Sequence, residues 1–166
     1  MKIVTDTSPL HYLVLIEAES ILPNLFASVM RPPEVVQELA NPRAPAAVRA
    51  WASAPPAWLH VVSSSAELPD TKLGPGESAA IALVLEVGAD ALLIDERDGT
   101  NAARRLGIST AGTLGLLATA AEKKLVSLEK AFAALRQTSF RAPHSLMTAI
   151  LEFADRREPR TERGEA

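Results

Sequence analysis

The sequence predicts a three-layer α/β domain, a small parallel β-sheet flanked by helices, and two observations carry that prediction. Strand-like runs at Lys2–Thr5, Ser28–Arg31, Leu59–Ser63, Ala91–Ile94 and Ile108–Ala111 alternate with segments of helical spacing, the pattern of a sheet covered on both faces. Aromatic residues are 4% of a chain that is 48% hydrophobic. The core must therefore be built from Ala, Leu, Val and Ile, which suits helices packed closely on a small sheet. A chain of 166 residues holds one substantial core rather than two.

Each element has a local reason. In the opening "KIVTDTSPL", Ile3 and Val4 favour a strand, while Ser8 before Pro9 reads as a helix N-cap with proline at the first helical position. Asp6 then stands at the C-terminal end of a strand. "HYLVLIEAE" has apolar positions at helical spacing until Pro23 interrupts it. "PPEVVQELAN" begins with prolines, carries Val35, Val36 and Leu39 on one stripe and ends near Asn41 and Pro42. "APAAVRAWASAPP" is a short alanine-rich helix closed by Pro55 and Pro56, and "SSSAELPDTKLGPG" is the longest loop. "ESAAIALVLEVG" is a strong helix ended by Gly88. "ADALLIDERDGTNAARRLGISTAG" then gives a strand, an acidic turn, a helix and a short strand, repeating the opening with a second carboxylate, Asp95, at a strand end. "TLGLLATAAEKKL", "SLEKAFAALRQTSF" and "SLMTAILEFADRR" read as three further helices. Residues 1–151 form the domain; 152–166 hold the end of the last helix and the charged tail "EPRTERGEA", expected to be disordered.

Composition narrows the function classes. There is no cysteine, which excludes disulfides and thiolate metal sites and agrees with a reducing cytoplasm, the expected location. No stretch approaches the roughly 20 apolar residues of a membrane span. A net charge of −3 provides no global basic footprint for nucleic acid. Carboxylates gathered round cations would bias the charge negative and still leave a site attractive to phosphate.

Four acids fall where the fold could bring them together: Asp6 and Asp95 at strand ends, Glu77 in the first turn of its helix after "GPG", and Glu38 in the helix after the second strand. Acids that converge raise one another's pKa unless a cation is present. An all-oxygen set suits Mg²⁺ or Mn²⁺, because hard cations prefer carboxylate and water. Zinc fits less well, since His11, His60 and His144 lack ligand spacing. Such a cluster suits phosphodiester hydrolysis. Each acid also has an ordinary reading: Glu38 on a solvated face, Glu77 favourable at a helix N-terminus, Asp95 in a charged turn with Glu96, Arg97 and Asp98. Ser8 and Thr113 are residue types that commonly cap helices.

Taken together, "IVTDTSPL", "PPEVVQEL", "GPGESAAIALVLE" and "ALLIDERDGTNAARRLGISTAGTLGLL" resemble the successive acidic blocks of the PIN domain family, in particular its prokaryotic branch related to toxins of the VapC type. The likeness runs from Lys2 to about Leu151. It implies metal-dependent ribonuclease activity with Asp6, Glu38, Glu77 and Asp95 as catalytic and metal-binding acids. It further implies Ser8 as the hydroxyl supporting the first acid, Thr113 as the Thr of the "GT" before the next helix, and Asp98 as a looser extra ligand. The branch often has Gly-Arg where this chain has Gly99-Thr100, so one basic residue that would touch phosphate is missing.

The leading expectation is an RNA endonuclease acting as the toxin of a toxin–antitoxin pair, with a small antitoxin protein as partner. The alternative is a PIN-like module that binds RNA or protein without cutting. A phosphotransferase of the haloacid dehalogenase kind would want Asp-x-Asp, whereas the chain reads Asp6-Thr7-Ser8. Arg97, Arg104 and Arg105, with Lys123 and Lys124, are the candidates for RNA phosphate contact. A homodimer is expected, its interface on apolar stripes of "HYLVLIEAE" and "PPEVVQELAN".

Overall fold

The structure, a computed structural model, describes residues 1–68 and 72–157. The expected tail lies outside the described residues. Among them are the strands β1 (Lys2–Thr5), β2 (Ser28–Arg31), β3 (Leu59–Val61), β4 (Ala91–Leu93) and β5 (Thr110–Ala111). The helices are α1 (Thr7–Leu15), α2 (Ile21–Leu25), α3 (Pro33–Leu39), α4 (Ala46–Ser53), α5 (Pro75–Val87), α6 (Arg97–Arg105), α7 (Thr113–Glu122), α8 (Leu128–Arg136) and α9 (His144–Arg157). None is long and apolar enough to cross a membrane.

The strands form one sheet in the order β3-β2-β1-β4-β5, and every pairing is parallel. Alternate residues of each strand serve opposite faces, the period of two that a pleated strand imposes. Ile3, Val29, Leu59 and Leu93 join a core with α1 to α4 and α7 to α9. Val4, Met30 and Leu92 join a second core with α5 and α6. Both faces are thus covered, giving the three layers expected.

Several details differ from the sequence reading. Helix α1 begins at Thr7 with Asp6 at the N-cap, so Pro9 lies at the third helical position and not the first. Proline costs nothing there either, because the first four N–H groups of a helix have no intrahelical acceptor. The same reason lets Pro23 sit inside the first turn of α2; the break falls earlier, where Glu17 takes a left-handed φ of 56°. The edge strands β3 and β5 are shorter than their apolar runs, as sheet edges tend to be. Leu13 and Val14 on α1, and Val35 and Leu39 on α3, are buried in the chain's own core, which leaves Tyr12, Leu15, Ile16 and Val36 of those stripes partly exposed. Arg31, at the end of β2, is fully buried, with its guanidinium 5.9 Å from the ring centre of Trp51.

Candidate active site

The strand order reverses direction between β1 and β4. From β1 the chain adds β2 and β3 on one side; it then crosses to place β4 and β5 on the other. In an open parallel sheet the crevice beyond the strand ends at such a switch point is where ligands bind. Asp6 and Asp95 stand at that crevice, just beyond β1 and β4, and the Asp6 N–H donates to the Leu93 carbonyl at 2.9 Å.

Asp6 is 2% exposed, and its Oδ1 has no hydrogen-bond partner among the described residues. Its carboxyl is raised from 3.8 to about 7, chiefly by burial. A hydrogen bond from the Thr7 N–H opposes that rise, and the charges of Glu77, Glu38 and Glu96 add to it. Glu77 is also raised, first by burial and then by Glu96, Glu38 and Asp98. It is the third residue of α5, and the N–H of the N-cap Gly74 holds its carboxylate down in part, the reciprocal bond of a capping box.

Glu38 acts as a brace. One of its oxygens accepts from the Gly76 N–H at 2.9 Å and the other from the Thr7 hydroxyl, so it ties the start of α5 to the start of α1. Asp95 is fixed by the first residue of α7: Thr113 donates its N–H to Oδ1 and its hydroxyl to Oδ2, each at 2.7 Å. Burial raises the Asp95 carboxyl, the two Thr113 bonds lower it, and Glu96 raises it again.

The four expected acids are therefore not equivalent. Glu38 and Glu77 act on Asp6, and Glu38 acts on Glu77, whereas the charge that raises Asp95 is that of Glu96, which also acts on Asp6 and Glu77. Asp98 in the first turn of α6 acts on Glu77. Among the described residues, no group of three or more His, Cys, Asp or Glu side chains is placed to hold a metal ion together. Ser8 makes no hydrogen bond to an acid among those residues; it lines a cleft with Asp95. Arg104 lines the same cleft, while Arg97 and Arg105 are exposed on α6, and Lys123 and Lys124 are exposed at the end of α7.

Sequence reasoning missed Glu96, Thr7 and a set of glycines. Glu96 is the N-cap of α6 and the one carboxylate that acts on Asp6, Glu77 and Asp95 alike. A Cβ on Gly76 would lie 2.6 Å from Glu38 Oε1, one on Gly99 2.7 Å from Glu77 Oε2, and one on Gly112 3.0 Å from Asp95 Oδ1. Three carboxylates thus rest against glycines. The visible signal was a glycine in each acidic block: "GPGES", "DGT" and "AGT".

A family profile described as "DUF3368: PIN domain" matches residues 2–156. The chain belongs to the PIN domain family. The PIN domain is generally a nuclease fold, and the acids at the switch point stand where such chemistry would occur. Among solved structures, the chain is similar to a PilT N-terminus domain protein, SSO1118, from the hyperthermophilic archaeon Sulfolobus solfataricus P2. The two share 19% identity over 72% of this chain and 92% of that one, with a TM-score of 0.51. No curated protein matches this PIN domain.

Proposed function

We propose that this PIN domain is a metal-dependent ribonuclease that hydrolyses RNA phosphodiester bonds as the toxin of a toxin–antitoxin pair. The observation that carries the reading is Asp6, a buried carboxylate with an orphaned oxygen, set at the switch point and surrounded by other acids. Like charges collected there are unfavourable by themselves and become favourable beside a cation. The residues fit Mg²⁺ or Mn²⁺: every donor is oxygen, and Mg²⁺ is commonly held by one or two carboxylates plus water and substrate phosphate rather than by a complete protein cage. Asp6 would hold it together with Glu77, whose charge acts on Asp6.

When bound, such an ion lowers the pKa of a water and polarises the phosphodiester. The chain's residues do the rest. Thr113 fixes Asp95 through both oxygens, and Thr7 and Gly76 fix Glu38, which in turn fixes the N-terminal turn carrying Glu77. Glu77 is less buried than Asp6, so its carboxylate is the one of the two open towards an incoming phosphodiester. The toxin role is supported by the likeness of the four acidic blocks to VapC-type chains. A test is incubation of mixed RNA with the protein and Mn²⁺: the account expects fragments, and their arrest by chelator. Intact RNA with Mn²⁺ would favour the non-cutting module.

A further inference from the structure

Beside Asp95 a cleft of about 720 Å³ runs between α1, the start of α7 and the segment joining α8 to α9. That volume is ample for a nucleotide-sized ligand. Its walls differ in chemistry. Tyr12, one turn along α1 from Ser8, meets Phe140 edge to face, with ring centres 4.9 Å apart. The Tyr12 hydroxyl lies 3.1 Å from Ser139 Oγ, leaving a partly exposed aromatic wall with polar atoms at its rim. Two arginines, Arg104 and Arg141, also line the cleft. Arg104 donates Nε to Thr110 at 3.1 Å, which uses one of its five N–H groups. Arg141 makes no hydrogen bond or ion pair among the described residues, and neither arginine pairs with Asp95 or Glu96, although both acids line the same cleft.

The segment carrying Phe140 and Arg141 is held in shape. The Thr138 hydroxyl donates to the Leu135 carbonyl at 2.6 Å and accepts from the Phe140 N–H at 3.1 Å, so the backbone that carries Phe140 is set before any ligand arrives. Preorganisation of this kind lowers the ordering cost of binding. Aromatic faces next to guanidinium groups are the pairing that takes an unpaired base and its phosphate, because every base has a π-face and the arginine fork matches phosphate.

We propose that this cleft is a subsite for one unpaired nucleotide of an RNA strand, its base packed on Tyr12 and Phe140 and its phosphate between Arg104 and Arg141. The identity of the polymer rests on the ribonuclease reading; the subsite itself rests on the cleft. Arg104 lies one turn beyond Thr100 on α6, and both line the cleft.

The test is fluorescence anisotropy of a labelled eight-nucleotide single-stranded RNA, and of the same sequence as a duplex, in chelator at 50 mM salt. Phe140→Leu keeps an apolar side chain and removes the π-face; it should weaken single-strand binding about tenfold and leave duplex binding unchanged. Arg141→Gln, at an exposed position, should reduce the salt slope of single-strand binding by about 0.7, one phosphate contact. Circular dichroism checks that both variants fold. Binding of both within twofold of the wild type, or no RNA binding by the wild type, would overturn the subsite. If both effects appear but Mn²⁺ yields no cleavage, the subsite stands and the nuclease reading falls. If RNA is cut while both variants bind as the wild type does, the nuclease reading stands and the subsite falls.

Discussion

Replacing Asp6 by Asn should stabilise the metal-free protein, and should do so only at neutral and alkaline pH. A carboxyl moved from 3.8 to about 7 corresponds to about 4 kcal/mol at about 1.4 kcal/mol per pH unit. The sign follows from proton counting: between roughly pH 4 and pH 7 the native state binds more protons at Asp6 than the unfolded chain does. Wild-type stability therefore falls as pH rises through that window and levels off above it. Asn carries no charge to bury, its amide oxygen can still accept from the Thr7 N–H, and its NH₂ would stand among Glu38, Glu77 and Glu96 as a donor. Lost geometry will take back part of the gain, so a net stabilisation of about 2–4 kcal/mol at pH 8 is expected, roughly 4–16 °C in Tm for a chain of this size. At pH 4 and below, where Asp6 is neutral in the native state, the two proteins should converge. The assay is thermal and urea unfolding in chelator at pH 4 and pH 8. Equal stability of the two at pH 8, or a difference that does not change with pH, would refute the electrostatic account of Asp6.

Glu96→Gln removes the one charge that acts on Asp6, Glu77 and Asp95 alike; it should lower the pKa of all three carboxyls, which carbon-detected NMR titration of the side-chain carboxyls would read, and an unchanged Asp6 titration would contradict the assignment. Thr113→Val keeps the shape of a fully buried residue and deletes its hydroxyl bond to Asp95, a loss of about 1.5–3 kcal/mol for a charged acceptor, visible in urea unfolding at pH 8. Gly99→Ala drives a methyl against the end of the buried Ile94 and against Glu77, so stability should fall by about 1–3 kcal/mol in urea unfolding and RNA cleavage at least tenfold below the denaturation range; full activity would show that the position of Glu77 is unimportant.

The strands and both strand-end acids were legible because β-branched runs, a period of two and a carboxylate directly after each run are local signals, and the chain alternates strand and helix throughout. Helix starts were less legible, because proline is tolerated anywhere in the first turn and so marks α1 and α2 only to within a few residues. Tertiary facts left no local trace. Arg31 reads as a polar strand end and is buried over Trp51, and part of each stripe on α1 and α3 is claimed by the chain's own core. In "DERD" nothing separates Glu96 from an ordinary charged turn, yet its place at the N-cap of α6 sets its charge among the other acids. The roles within the acid set were equally hidden: spacing along the chain could not reveal that Glu38 is bonded on both oxygens or that both oxygens of Asp95 are held by Thr113.

The most direct test of the ribonuclease assignment is single-turnover cleavage of a labelled single-stranded RNA in Mn²⁺ by the wild type and by Asp6→Asn, with unfolding curves confirming that both are folded. The account predicts a cleavage rate that depends on Mn²⁺ and drops at least a thousandfold in Asp6→Asn, about 4 kcal/mol of transition-state stabilisation. Cleavage by Asp6→Asn within tenfold of the wild type would contradict it and place the catalytic centre elsewhere on the molecule.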